Sequence, residues 1–114
     1  MPAKRNPLNL NPLQLKTLTL LQELSRLPDY GRPGEQAGSF IIADLPDPHG
    51  DHFHLGDAVV ASRDASGLHN PSVWAALARK GLVGTMPAGG VMLTARGCDY
   101  DTGLRDAILR RSAH

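Results

Sequence analysis

Apolar residues recur at helical spacing in two places along this chain and at strand spacing in several short runs around them. Asn11-Pro12-Leu13-Gln14 opens the first helical stretch. It combines an N-cap side chain, a proline at the first helical position, where a backbone N–H has no partner anyway, and a Gln three residues after the cap. The pattern predicts a helix from Pro12 to about Arg26, ending before Pro28. Leu13, Thr17, Leu20, Leu21, Leu24 and Leu27 form one stripe, while Leu15 and Leu18 lie outside it. A helix that is apolar on two sides either buries both within one unit or gives the second to a partner subunit.

Asn70 and Pro71 repeat the cap-then-proline start, and Gly81 supplies a stop, so a second amphipathic helix is expected over Pro71–Lys80. At about 100° per residue, Trp74, Leu77 and Ala78 point inward, Ser72, Ala76 and Arg79 point outward, and Val73 and Lys80 lie at the margin. Val83 to Met86 and Val91 to Leu93 are expected to pair as strands about the Pro87-Ala88-Gly89-Gly90 turn.

The remaining segments follow from the same rules. Met1 to Leu10 is an arm that orders only by docking. Pro28 to Gly38, rich in Pro and Gly, reads as a loop. Ser39–Leu45 and His52–Leu55 are expected to pair with each other, making residues 39–55 an inserted β-hairpin. Asp57 is placed as the cap of a helix to about Ser66, ended by Gly67 with Leu68 folding back; the alternative is that the strand from His52 continues through Val60, whose β-branched neighbours favour it. Thr94 or Asp99 caps a last helix, residues 95–111, with Tyr100, Leu104, Ala107 and Ile108 inside and Leu109 outside that face.

Length and composition narrow the class. With 114 residues the chain is read as one domain with a modest core. Aromatic residues are only 4% of it, so that core must be built from Leu, Val, Ile and Ala. Twelve basic and eleven acidic side chains give a formal charge of +1, so any nucleic-acid contact has to come from a local patch. Cys98 is the sole cysteine, which fits a reducing cytoplasm, and no apolar run reaches the ~20 residues of a membrane span.

The segment Ala78-Arg79-Lys80-Gly81-Leu82-Val83, followed by the hairpin and by Leu93-Thr94-Ala95-Arg96-Gly97, resembles the recognition-helix exit and wing of winged-helix transcription regulators, particularly the multiple-antibiotic-resistance regulator branch. The resemblance covers roughly Asp57 to Leu109. It implies an α+β winged helix-turn-helix over residues 57–93, here with the extra hairpin between the first and second helices, and sequence-specific binding of duplex DNA in transcription regulation. A protein-interaction module that does not bind DNA is the alternative.

Under that reading Asn70 and Arg79 offer hydrogen bonds to base edges, and the small Ser72 and Ala76 allow close approach, with Val73 beside them. Arg79, Lys80 and Arg96 hold phosphates, and the turn Ala88 to Gly90 reaches the neighbouring groove. The unburied leucines Leu15, Leu18 and Leu109, with Leu8 and Leu10 in the arm, are the motive for expecting a homodimer, and paired recognition helices would suit a palindromic site. His49, His52 and His54 lie close together, yet their alternation with Phe53 and Leu55 reads as a solvated strand face, so no metal is expected there. No phosphate-cradling glycine loop, dinucleotide fingerprint or Gly-x-Ser-x-Gly elbow occurs, so neither cofactor nor catalysis is expected.

Overall fold

The structure, a computed structural model, describes residues 6–46, 50–85 and 90–111. Helix α1 spans Pro12–Arg26 and begins as its sequence predicts: the Asn11 side chain accepts from the Gln14 N–H at 2.8 Å, and the Gln14 side chain accepts from the Asn11 N–H at 3.0 Å. Both sides of α1 are buried within the chain. Thr17, Leu18, Thr19, Leu20, Leu21 and Leu24 are at most 1% exposed, because the helix is enclosed by the rest of the molecule. Leu18 and Leu109, expected as surplus apolar surface, lie in the core with Leu10, and the half-buried Leu15 packs against it.

After α1 come β1 (Gly31–Pro33) and β2 (Phe40–Ile42), then β3 (His52–Leu55) and β4 (Ala58–Ala61). A 3₁₀ helix (Ser62–His69) leads into α2 (Pro71–Arg79), followed by β5 (Val83–Thr85) and β6 (Val91–Leu93). The chain closes with α3 (Ala95–Asp99), α4 (Arg105–Ile108) and β7 (Arg110–Arg111). One antiparallel sheet has the order β1-β2-β6-β5 and the other the order β3-β4-β7. The architecture is mixed α+β, and among the described residues no helix is long and apolar enough to cross a membrane.

Three expectations about elements need correction. The hairpin over residues 39–55 does not form. Phe40–Ile42 pairs instead with Pro33–Gly31, which turns the expected loop into a strand, and with Leu93–Val91 far along the chain. His52–Leu55 pairs with Ala61–Ala58 across the two-residue loop Gly56-Asp57, where Gly56 has φ +58°. A Gly in that conformation closes a tight antiparallel turn and is favoured there over any residue with a Cβ.

The helix expected from Asp57 to Ser66 is therefore absent. Asp57 belongs to the turn, and Val59 and Val60 are extended as the alternative has them, but in a separate strand β4 that folds back on β3, not in a continuation of the strand from His52. Only from Ser62 does the chain coil, and it does so as a 3₁₀ helix without a side-chain cap. Its fit against α1 is close: a Cβ placed on Gly67 would stand 2.0 Å from Thr17 Oγ1. Lys16 on α1 reaches Asp64 at 2.9 Å from the same side.

The third correction concerns the last helix. Thr94 caps it, accepting from the Gly97 N–H at 3.0 Å, but α3 ends at Asp99 and Tyr100 is extended. The Asp101 side chain accepts from the Gly103 N–H at 3.0 Å, and Gly103 has φ +71°. This local turn interrupts the helix before α4, as an aspartate and glycine so spaced favour. Ala107 is exposed, and Arg110 and Arg111 are paired with Val59 and Ala58.

Candidate nucleic-acid interface

Helix α2 carries most of the candidate residues. Asn70 caps it, its side-chain oxygen accepting from the Ser72 N–H at 3.0 Å, and Pro71 occupies the first turn. At the other end Lys80 is the C-cap and Gly81 takes φ +76°, a left-handed conformation that lets the chain turn toward β5. The helix lies as the sequence predicts, but its rotation differs.

Val73, Ala76 and Leu77 form the buried side, at 3%, 3% and 0% exposure, whereas Ala78 is exposed and Trp74 is half-buried. The cause is the indole. A Trp N–H needs an acceptor when it leaves water, and that of Trp74 donates to the Leu68 carbonyl at 2.9 Å, at the edge of the core. The ring therefore flanks the helix rather than pointing along its core axis. Val73 and Ala76 accordingly do not present themselves to a partner. The solvent face consists of Pro71, Ser72, Ala75, Ala78 and Arg79. A stripe centred on Trp74 hides Ala75; one centred on Leu77, with Trp74 as an amphipathic side chain at its edge, places Ala75 outward.

The cations divide in the same way. Arg79 and Arg96 are exposed, and among the described residues no carboxylate pairs with either. Arg96 lies over the exit from α2, its guanidinium 3.5 Å from where a Cβ on Gly81 would stand. Lys80 is committed elsewhere: its Nζ donates to the Leu8 carbonyl. That contact, with the Tyr100 hydroxyl accepting from the Leu8 N–H at 3.1 Å and donating to Asn6 Oδ1 at 2.6 Å, docks residues 6–10 of the expected arm onto the body. Strands β5 and β6 pair from Val83 to Leu93 as expected for a wing. Of its turn, Ala88 and Gly89 lie outside the described residues, and Gly90 has φ +83°.

A second charged face lies on the other sheet. His52 and His54 project from one side of β3 with ring centroids 5.6 Å apart, and the exposed Arg63 and Arg110 stand around the same hollow as His52. Asp51 accepts from His52 Nδ1–H at 2.9 Å, and this hydrogen bond holds its carboxyl below the ordinary aspartate range. His49 lies outside the described residues. Among the described residues no three His, Cys, Asp or Glu side chains converge as metal ligands. The Cys98 thiol is half-buried, and desolvation, with Asp99 adding to it, pushes its pKa up, so it remains a protonated thiol at neutral pH.

No family model matches the chain, nor does any curated protein or any solved structure.

Proposed function

We propose that this chain is a winged helix-turn-helix that binds duplex DNA sequence-specifically as a small cytoplasmic transcription regulator. The observation that carries the reading is the exposed face of α2. It is a capped helix with small Ser72 and Ala75 toward its N-terminal half and exposed Arg79 at its end, beside a two-stranded wing and Arg96. Small side chains let a helix backbone approach base edges closely, and arginines serve both guanine edges and phosphates. The order of elements after the strands supports it too: α1 and β1 to β4 are followed by the 3₁₀ helix in the place of a second helix, then α2 and the β5–β6 wing, with β6 between β2 and β5. The role is one of binding rather than catalysis.

The acting unit is proposed to be a homodimer. Leu10, Leu18 and Leu109 are core, so leftover apolar surface no longer argues for it. Affinity favours it: with a net charge of +1 and Lys80 committed to the arm, one copy offers few phosphate contacts, and two copies on a palindrome double them.

Selection from random duplexes at low salt tests the proposal. An enriched motif is expected, with affinity falling as salt rises and Arg79→Ala weakening binding by about tenfold or more. The absence of enrichment, with no complex in a gel shift, would favour the interaction-module reading instead. Exposed Ala75 and Ala78 beside the half-buried Trp74 would also suit such a module.

A further inference from the structure

A cavity of about 330 Å³ opens along the flank of α2, between that helix, the β5–β6 strands and the segment that follows β2. Leu45, Trp74, Ala78, Val83 and Val91 give it an apolar wall, and Asp44 is the one charged side chain among its described lining residues. This volume falls in the range of small-molecule sites, which are mostly apolar with a few polar groups that fix orientation.

We propose that this cavity binds a small organic cation, an aromatic or branched aliphatic amine or quaternary ammonium, whose charge faces Asp44 and whose apolar body lies against Trp74. The choice of charge follows from what the wall offers. Among the described lining residues Trp74 has the one side-chain N–H donor, and that donor is taken by the Leu68 carbonyl. Among these residues an anion or an acceptor-only ligand thus meets no free side-chain donor. Asp44 is exposed, and among the described residues no Lys, Arg or His lies within ion-pair distance of it. An aromatic ring beside a carboxylate favours a cation twice, through the ring's quadrupole and through charge. Steric room exists because Ala78, not a larger residue, faces the space.

This inference does not rest on DNA binding, and its test contains no DNA. Trp74 is the only Trp, so its emission reports on the site directly. The purified full chain is titrated with benzyltrimethylammonium, followed by fluorescence and in parallel by calorimetry. Benzoate and benzyl alcohol serve as the anionic and neutral comparisons. Saturable binding of the cation is expected, with benzoate and benzyl alcohol weaker. Asp44→Asn should raise the cation's Kd at least about fivefold. Ala78→Leu, which fills the cavity from an exposed helix position, should remove saturation while circular dichroism and the unfolding midpoint stay as in the parent. No saturable signal from either method up to about 10 mM overturns the site. Equal binding of benzoate or benzyl alcohol, or an unchanged Kd in Asp44→Asn, overturns its selectivity for cations.

Discussion

Gly67 shows how much one missing methyl group decides. A Cβ there would stand 2.0 Å from Thr17 Oγ1 and 3.3 Å from Leu13 Cγ, and Thr17 is itself fixed by donating to the Leu13 carbonyl at 2.9 Å. Gly67→Ala should therefore destabilise the protein by about 1–3 kcal/mol, the range for overpacking. Thr17→Ala in the same chain should recover part of that loss, since it removes the nearest atom. Urea unfolding of the single and double variants checks both. A second residue-scale expectation concerns charge. Asp51, held low by His52, should titrate below an ordinary aspartate in an NMR pH series, and His52→Ala should return it toward 3.8. A depressed folded-state pKa lends stability above the unfolded value and loses it as pH falls through the folded one. Here the carboxylate is fully exposed, so the titration, not the unfolding midpoint, is the informative readout.

Elements with local signals were legible in the sequence. The caps Asn11, Asn70 and Thr94 all accept the expected N–H bonds, because a cap depends only on residues two or three positions away. Strand partnership was harder to read. Phe40–Ile42 finds one partner in a segment that reads as loop and another some fifty residues on, and nothing in its own alternation specifies either. The Gly56-Asp57 pair carries the signal of a tight turn, but Asp is equally a helix N-cap residue, so the pair alone does not separate the two. The face of α2 is not given by apolar periodicity alone, because Trp74 is amphipathic: its N–H bond to the Leu68 carbonyl holds the ring at the edge, and Ala75 and Ala78 are exposed. Thr94 does two jobs, capping α3 and donating to the Gly81 carbonyl at 2.7 Å. Thr94→Ala should accordingly cost about 1–2 kcal/mol and loosen the join between α2's exit and α3. A thermal melt and amide exchange at Gly97 would show it.

At the scale of the whole molecule, the apolar content of α1 is accounted for by its enclosure, with the 3₁₀ helix, α2, α3 and strands of the first sheet all packed around it. That enclosure explains why a helix apolar on two sides need not announce a partner. It also changes how assembly is examined. Leu18 is 0% exposed, so Leu18→Glu would unfold the chain rather than split a dimer, and sedimentation equilibrium on the unaltered protein is the appropriate measurement. Among the described residues, the α2 face with Arg79 and Arg96 and the β3–β4–β7 face with His52, His54, Arg63 and Arg110 are two unlike charged faces turned to solvent. The first carries small residues on a capped helix beside the β5–β6 strand pair, and the proposed DNA contact belongs there. An amide-resolved NMR titration with a mixed-sequence duplex at low salt separates the two faces most directly. Shifts centred on Ser72, Ala75, Arg79, Gly90 and Arg96 are the predicted footprint; shifts centred on β3, β4 and Arg110, or none at all, would contradict it.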